Sequence, residues 1–293
     1  MKVTGLSDVE PRPRRVAVGT FDGVHLGHRE VIRGADTVLT FEPHPAAIVS
    51  PAGAPRLLTT LERKAELIGE LGVDELVVVR FDEDFAARSA ESFVDDVLAG
   101  ALRADHVSVG ENFRFGNKAK GDTQRLLADD RFETRVVPLL EVDGEVVSSS
   151  HIRGLVLGGA VEYADKLLGA PFVFSGEVTL GDQRGRTLGF PTANLLPRDG
   201  YVVPGHGVYA CRAQTADGVV RVAATNVGVR PMFVTGRGEL IEAFLVDFDG
   251  DLYGTELRVE FLKRLRGEKR FESVDALIEQ MRRDVEETRA IAV

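Results

Sequence analysis

The feature that most constrains the fold is a change of sequence texture near residue 169. Before that point, short apolar runs alternate with helix-like stretches, and such alternation predicts a parallel, doubly wound sheet. The predicted buried strands are Val16–Phe21, Thr37–Glu42, Glu75–Phe81, Val107–Gly110 and Thr134–Val137. Between two of these strands, Thr59 and Glu62 have the spacing of a capping box, which predicts a helix that begins there.

After residue 169 the helix-like stretches give way to strand-like runs separated by Gly-rich turns. The predicted strands are Phe172–Leu180, Gly207–Thr215, Val219–Asn226, Ile241–Asp247 and Leu257–Leu262. This pattern predicts an antiparallel sheet or barrel. A final amphipathic helix is predicted after Ser273, with apolar side chains at helical spacing: Val274, Leu277, Ile278, Met281 and Val285. The expected domains are therefore 1–169 and 170–293.

Charge and composition exclude several classes of protein. Acidic residues outnumber basic ones by 46 to 36, a net charge of -10, which argues against a broad nucleic-acid-binding face. The longest apolar runs are only a few residues, far short of the roughly 20 needed to cross a bilayer, and the N-terminal stretch lacks the apolar core of a signal peptide. Because Cys211 is the single cysteine, we expect a reducing, cytoplasmic location.

The first motif that indicates chemistry is GTFDGVHLGH, residues 19–28. It follows the first predicted strand and opens a helix-like segment, where free backbone N–H groups favour an anion. Glycines allow close approach of a ligand, and His25 and His28 can donate to phosphate oxygens as negative charge develops. A glycine turn with two satisfied histidines is an equally good interpretation of this motif alone. A zinc site is weaker, since no third ligand lies nearby in the sequence.

A second motif, SSSHIR at residues 148–153, also has the composition of a helix start. Serine side chains can cap the helix, and Arg153 could contact departing phosphates. Taken alone, an ordinary serine cap is the better interpretation. In combination with the HxGH motif at the start of a doubly wound domain, the pair indicates nucleotidyl transfer.

The third motif is GRTLGFPTAN, residues 185–194, in the second domain. Gly185 and Gly189 allow close approach to a polyphosphate, while Thr192 and Asn194 offer oxygen atoms suited to Mg²⁺ and phosphate. The string is no Walker A loop, because the GK[ST] ending is missing. A fragment of it would be interpreted as a simple Gly-Pro turn.

A fourth stretch places Glu242 inside an otherwise apolar strand. A buried carboxylate should have a raised pKa and could accept a proton from an alcohol, as a general base must. The alternative is an outward-facing Glu on a half-exposed strand, which periodicity alone favours. Asp247, Asp249 and Asp251 lack the later positions of a calcium loop, so we expect a turn between strands there.

These motifs together resemble those of the bacterial bifunctional FAD synthetases, which combine riboflavin kinase and FMN adenylyltransferase. The resemblance extends to TFEPHP at 40–45 and VGENFRFG at 109–116, which look like that family's nucleotide and flavin segments. It implies a Rossmann-like nucleotidyltransferase domain followed by an antiparallel β-barrel riboflavin kinase domain with a terminal helix. It also implies ATP, riboflavin and FMN as substrates, FAD as product, and Mg²⁺.

The resemblance further implies roles for individual residues. Catalysis would fall to His25 and His28 in the first domain and to Glu242, the base for riboflavin, in the second. Flavin contacts would come from Asn112, Phe115 and Arg266. ATP and its phosphates would contact Gly19, Phe21, Asp22, Gly23, Ser149, Arg153, Gly185, Gly189, Thr192 and Asn194, the last two also serving Mg²⁺.

The sequence departs from the family most clearly after the HxGH motif. Only eleven residues, 29–39, separate His28 from Thr40, where the family has a full helix and a turn. We expect this shortening to expose a flank of the sheet or to lower adenylyltransferase activity. Ser150 and Met232 also stand where the family commonly has Thr. A bifunctional enzyme is favoured, and the alternatives are a kinase with an impaired first domain and a flavin or nucleotide sensor without turnover.

Overall fold

The computed structural model describes residues 1–181, 189–229 and 239–292. Contacts between residues divide the chain into two compact units, Met1–Ser149 and Ser150–Val293. The predicted combination of a parallel, doubly wound sheet and an antiparallel barrel with a terminal helix is confirmed.

The first unit is built on six parallel strands. They are β1 (Lys2–Gly5), β2 (Arg14–Val18), β3 (Thr37–Glu42), β4 (Glu75–Arg80), β5 (Ala104–Gly110) and β6 (Glu133–Val137). Their order across the sheet is β1-β4-β3-β2-β5-β6. The helices are α1 (Leu26–Ile32), α2 (Pro45–Val49), α3 (Leu61–Gly69), α4 (Glu83–Ala86), α5 (Ala90–Ser92) with its π-helical continuation Phe93–Ala101, and α6 (Thr123–Leu127). Single 3₁₀ turns lie at Leu6–Asp8, Pro51–Gly53 and Asn117–Ala119.

Both faces of this sheet are buried, as the continuous apolar strands predict. Val16, Leu39 and Val77 pack on one face, whereas Ala17, Val38 and Leu76 pack on the other with residues of α1 and α3. Helix α1 has seven residues and ends at Ile32, so the segment between His28 and Thr40 contains only a short helix. Val31 and Ile32 of α1 still pack in one core cluster with Val38 of β3, which is 0% exposed. The helix therefore covers this part of the sheet, and the expected exposed flank is not found there.

One edge strand and a small hairpin of the first unit were not predicted from the sequence. Strand β1 pairs in parallel with β4 from Lys2 to Gly5, although it is too short and polar to stand out as a buried run. The hairpin joins β7 (Glu141–Val142) to β8 (Glu145–Val146).

In the second unit, the described strands form a closed antiparallel barrel. They are β9 (Phe172–Thr179), β10 (Ala193–Leu195), β11 (Gly207–Gln214), β12 (Val220–Val229), β13 (Glu239–Leu245) and β14 (Glu256–Arg266). Around the barrel they follow the order β10-β13-β12-β11-β14-β9. Cys211 points into the barrel core, where it is 0% exposed, and burial raises the pKa of its thiol to about 12.

Within the described part of the chain, three helices belong largely to the second unit: α7 (Ser149–Gly158), α8 (Val161–Leu168) and α9 (Val274–Ala292). The amide of Gly205 donates to the carbonyl of Val156 in α7, and α8 packs on β9 and β14. The division between units therefore falls some twenty residues before residue 169, while the boundary between the two activities near that residue stays a prediction.

The terminal helix confirms one half of its predicted pattern. Ser273 caps α9, since its Oγ accepts from the amide of Ala276 at 3.1 Å. The most buried side chains of α9 are Asp284, Thr288 and Ala292 rather than the apolar set, and Val274 is exposed. Asp284 lies on the buried face of α9 because it forms an ion pair with Arg266 of β14, described below.

Candidate active sites

The first unit has a cavity of about 710 Å³ at the carboxyl ends of its central strands. Val18 at the end of β2, Phe41 in β3 and Gly110 at the end of β5 contribute to its wall. Strand β3 lies on one side of β2 and β5 on the other, so this is the point where the strand order reverses. Open α/β sheets bind their ligands at such a switch point.

Aromatic rings make up much of the cavity wall. Phe113 and Phe115 are stacked with centroids 5.5 Å apart, and Phe93 lies 5.3 Å from Phe115. Phe115 packs in the core and lines the cavity at the same time, so core packing of this ring is compatible with a contact to a ligand. Asn112 also lines the cavity, which brings both predicted flavin residues of this unit to one wall. A flat heteroaromatic ring fits such a surface.

Charged side chains lie along the same cavity. Arg88, Arg114 and Lys118 contribute cations, and Glu83 contributes the one carboxylate among the described lining residues. Arg88 lies over the ring of Phe85 at 5.4 Å. The cavity therefore combines an apolar wall with an excess of positive charge, which suits a ligand that carries both a ring and phosphates.

His25 and His28 form a stacked pair beside this cavity. Their ring centroids are 3.5 Å apart with an interplanar angle of 15°, and His28 lines the cavity. His25 precedes the first turn of α1, and its Nδ1 accepts from the amide of His28 at 3.2 Å. Because Nδ1 is an acceptor, the proton of neutral His25 resides on Nε2.

Both imidazoles are held neutral. Burial lowers the pKa of His25 to about 4, against a smaller opposing effect of its backbone hydrogen bond. Burial also lowers the pKa of His28 well below its usual value, and the charges of His25 and Lys64 add to that effect. Two stacked rings that are neutral at pH 7 can each donate one N–H to a phosphate oxygen without repelling each other.

The loop before the histidines has an unusual backbone. Phe21 and Val24 have φ values of 50° and 41°, a left-handed conformation that non-glycine residues rarely adopt, and Gly23 between them has φ 86°. Backbone strain of this kind is concentrated at functional sites. Gly19 lies so close to the Phe21 ring that an added Cβ would sit 3.0 Å from it.

Asp22, predicted to contact ATP, has a structural role in this geometry. It is 2% exposed, and its Oδ1 accepts from the amides of Leu58 at 2.8 Å and Thr59 at 3.2 Å. Thr59 Oγ1 in turn accepts from the amide of Gly23 at 3.1 Å. Because Thr59 is used in this way, the helix cap predicted at Thr59 is wrong by one residue: Thr60 Oγ1 accepts from the amide of Arg63 and caps α3.

The SSSHIR segment begins α7, as its serines predict. Ser149 Oγ donates to the carbonyl of Asp22 at 2.8 Å, within the first unit. Arg153 Nη1 donates to Ser150 Oγ at 3.4 Å, within the second unit. Their roles toward ATP and pyrophosphate stay predictions.

The second unit has its own cavity, of about 350 Å³. Thr192 and Asn194 line it together, along with Asp249 and Asp251 from the loop between β13 and β14. The three predicted loop aspartates do lie in a connection between strands, as expected. Gly189 has φ 85°, and no atom of the described residues lies within 4 Å of where its Cβ would be, which leaves that side of its backbone open to a ligand.

The donors of this cavity are suited to Mg²⁺. Asn194 is 5% exposed, and a Cβ on Gly181 would come within 2.3 Å of its Nδ2, so a glycine there leaves the amide its space. Hydroxyl and amide oxygens are the hard ligands that Mg²⁺ takes alongside waters and phosphates. No group of three or more His, Cys, Asp or Glu that could hold a metal occurs in the described ranges. Gly185 lies outside the described residues.

Glu242 is next to this cavity but is not deeply buried. In β13 the side chains of Ile241 and Ala243 are buried, whereas Glu242 is half-buried on the opposite face. The interpretation of Glu242 as a buried carboxylate is therefore wrong, and the alternative that periodicity favours, an outward-facing Glu on a half-exposed strand, is confirmed, because strand alternation turns Glu242 away from the barrel core. It is paired across the sheet with Asn194, and Asn226 Nδ2 donates to its Oε2 at 3.3 Å.

Arg266, predicted to contact the flavin, is engaged in an ion pair. Its guanidinium donates to Asp284 of α9 at 2.8 to 3.1 Å, and Gln280 Nε2 donates to the same carboxylate at 2.9 Å. Arg266 also lies over the ring of Phe271 at 5.7 Å. Whether it also contacts flavin stays a prediction.

Two polar residues near the sites were not found from the sequence. Asn226 was assigned to a strand without a role, because its partnership with Glu242 depends on antiparallel register. Lys64 was given no role, yet it is 5% exposed and its charge acts on His28. The sequence signal that could have identified Lys64 is its place, in the helical pattern, on the same side as the buried residues Leu67 and Ile68.

Comparison with known proteins matches each unit to a family. The model of the FAD synthetase family matches residues 8–151, and that of the riboflavin kinase family matches residues 168–292. Within the described residues, no helix is both long enough and apolar enough to cross a membrane.

Relatives match over nearly the whole chain. The bifunctional riboflavin kinase/FMN adenylyltransferase of Listeria monocytogenes is 38% identical, covering 94% of this chain and 91% of its own. The Escherichia coli protein of the same name is 36% identical, covering 96% and 95%. A solved structure described as a macrolide-efflux protein from Streptococcus pneumoniae superposes with a TM-score of 0.88 at 32% identity, covering 99% of both chains. This chain therefore belongs to the family of bifunctional riboflavin kinase/FMN adenylyltransferases.

Proposed function

We propose that the protein makes FAD from riboflavin in two ATP-dependent steps, one in each unit. It is an enzyme of FAD biosynthesis that phosphorylates riboflavin to FMN and then adenylylates FMN. The observation that carries this proposal is that each unit has its own cavity with its own set of reactive groups beside it. The first has the neutral His25–His28 pair, and the second has Thr192 and Asn194 beside Glu242.

In the kinase step, Glu242 would accept the proton of the riboflavin 5'-hydroxyl as its oxygen attacks the terminal phosphorus of ATP. The new P–O bond gives FMN, and the bond to the departing ADP breaks. Asn226 holds one carboxylate oxygen, which leaves the other to the substrate. Half-burial suits this role, since a base that serves an incoming alcohol must remain reachable.

Thr192 and Asn194 would hold Mg²⁺ with the nucleotide, and that ion would neutralise charge on the phosphates. The protein itself contributes position. Asn194 lies in the short strand β10, fixed on one side by β13 and on the other by β9, where Thr179 Oγ1 donates to the Asn194 carbonyl at 3.3 Å. Catalysis of phosphoryl transfer depends mostly on such positioning.

In the adenylyl step, an FMN phosphate oxygen would attack the α-phosphorus of ATP, and the bond to the β-phosphate would break to release pyrophosphate. The isoalloxazine ring would lie on the Phe113–Phe115 wall, near Asn112. His25 and His28 would donate to the oxygens that gain charge in the transition state. Arg153 would contact the departing pyrophosphate.

The short segment after His28 does not by itself favour an impaired first unit. The loop, the histidine pair and the cavity are all formed, and the core beneath α1 is covered.

A cytoplasmic location is also proposed, since the single cysteine is buried and free.

The test uses the purified full chain with riboflavin, ATP and Mg²⁺, with flavins resolved by chromatography. FAD is expected. FMN alone would support a kinase with an impaired first unit, and unchanged riboflavin would support a sensor. Glu242→Gln should abolish FMN formation and spare FAD formation from supplied FMN, because it removes only the base. Equal loss of both steps would contradict the assignment of two separate sites.

A further inference from the structure

Lys64 of α3 is a buried cation with few partners. The residue is 5% exposed, and its Nζ donates one long hydrogen bond, 3.5 Å to Thr40 Oγ1. Among the described residues, no carboxylate lies within 4 Å of Nζ. Two of its three N–H donors are therefore left without a protein acceptor there.

Such an ammonium is costly to bury. Removing a charge from water is unfavourable by several kcal/mol unless a close counter-ion or several hydrogen bonds replace the solvent. Burial accordingly lowers the pKa of Lys64, while the more distant charges of Asp22 and Glu42 act to raise it. Asp22 already accepts from the amides of Leu58 and Thr59, so its carboxylate is partly used elsewhere.

Two hydrogen bonds connect Lys64 to the loop of the first active site. Thr40 Oγ1, which accepts from Lys64, donates to the carbonyl of Thr20 at 3.2 Å. Thr20 lines the cavity and precedes Phe21, where the left-handed stretch of the loop begins. A side chain of α3 thereby reaches the backbone that carries the histidine pair.

The charge of Lys64 also acts on the pair directly. Of the charged groups around His28, His25 and Lys64 both disfavour a proton on its ring, whereas Asp22 and Glu42 face Lys64 from the neighbouring loop and strand. In a site of low dielectric, a fixed charge has a strong effect on an incoming polyanion.

We propose that Lys64 is a positioning residue of the adenylyl-transfer site. Its buried ammonium donates to Thr40, whose hydroxyl donates to the carbonyl of Thr20, and so fixes the loop, while its positive charge acts on the histidine pair. This inference rests on the proposed role of His25 and His28. A purely structural role for Lys64 would fix the loop but would leave the proton affinity of His28 unchanged.

The test compares Lys64→Met, which has similar length and no charge, with Lys64→Arg, which keeps the charge. Arg63→Met is the matched control. It removes the neighbouring cation of the same helix, whose guanidinium donates to Glu66 rather than to Thr40. Three quantities are measured for each full-length variant: kcat for FMN adenylylation, the pH titration of His28 by NMR, and the riboflavin kinase rate as an internal reference.

For Lys64→Met we expect about a tenfold or larger fall in adenylylation kcat, an upward shift of the His28 pKa, and an unchanged kinase rate. Lys64→Arg should retain most of the kcat and the His28 titration of the wild type, and Arg63→Met should match the wild type in both. An unchanged His28 titration in Lys64→Met overturns the proposal even if activity falls, since a structural role then accounts for the loss. A wild-type kcat in Lys64→Met also overturns it.

Two provisions keep the test decisive. If Lys64→Met does not fold, Lys64→Gln removes the charge while keeping a polar group, and the same readouts apply. If the wild-type protein forms no FAD from FMN, the proposed function of the first unit fails. The His28 titration still decides whether Lys64 controls its proton.

Discussion

Replacing Asp22 distinguishes a structural clamp from a nucleotide contact at the first site. The Asp22 carboxylate is 2% exposed and accepts from two backbone amides, at 2.8 Å from Leu58 and 3.2 Å from Thr59. Each hydrogen bond to an ionised group contributes about 1.5 to 3 kcal/mol. We therefore expect Asp22→Ala to lower the free energy of unfolding of the first unit by about 3 to 6 kcal/mol.

Asp22→Asn is the matched variant, because its amide oxygen can still accept from both backbone N–H groups. It should cost clearly less than Asp22→Ala. Urea unfolding followed by circular dichroism gives the stability difference, and the FMN adenylyltransferase assay gives KM for ATP. If Asp22→Ala is as stable as the wild type while KM for ATP rises, Asp22 contacts the nucleotide and the structural assignment is refuted.

Two further predictions concern protonation. The NMR signal of His25, assigned with His25→Asn, should not titrate between pH 8 and about 5.5, because burial lowers its pKa to about 4; a midpoint near 6.5 would contradict a neutral, buried ring. Burial alone would raise the pKa of Glu75, but hydrogen bonds and charge from Arg14 outweigh it and hold the pKa below 4.5. A carboxylate whose pKa is lower in the folded than in the unfolded state stabilises the fold at pH values above its unfolded-state pKa. That stabilisation is lost as the pH falls through its folded-state pKa. Glu75→Gln should therefore be less stable at pH 7 and should lose less on acidification, measured by thermal unfolding at pH 7 and pH 3; a wild-type acid dependence in this variant would exclude the Glu75 carboxylate as the cause.

Local sequence patterns predicted the helices and strands well because buried apolar residues recur with the period of a helix or a strand. The strand Thr37–Glu42 was predicted with its observed bounds, since both of its faces are buried and its apolar residues run through its middle. Strand β1 was missed because it is an edge strand whose Val3 is 53% exposed, so its pairing with β4 depends on hydrogen bonds rather than on an apolar run. The helix cap moved from Thr59 to Thr60 because Thr59 is recruited by Gly23, a contact across 36 residues.

The candidate sites were predictable where a residue acts by itself and unpredictable where it acts through a neighbour. His25 and His28 were found from their motif, and the structure adds their stacking and neutrality. The half-exposed position of Glu242 follows the period of its strand, whereas its interpretation as a buried base relied on its apolar neighbours, which do not say which face a side chain occupies. The ion pair of Arg266 with Asp284 joins a strand to the last helix, and no local pattern predicts a partner 18 residues away.

Because Cys211 is buried, the rate at which its thiol reacts reports how often the barrel of the second unit opens. Its thiol is 0% exposed in the barrel core, and a pKa of about 12 leaves almost no thiolate at neutral pH. A thiol reagent can therefore react only with molecules whose barrel has transiently opened, so the labelling rate at the chain's single cysteine measures how often that happens. A nucleotide or flavin that binds only the closed barrel would slow labelling in proportion to its occupancy, giving a binding measurement that requires neither turnover nor a labelled ligand.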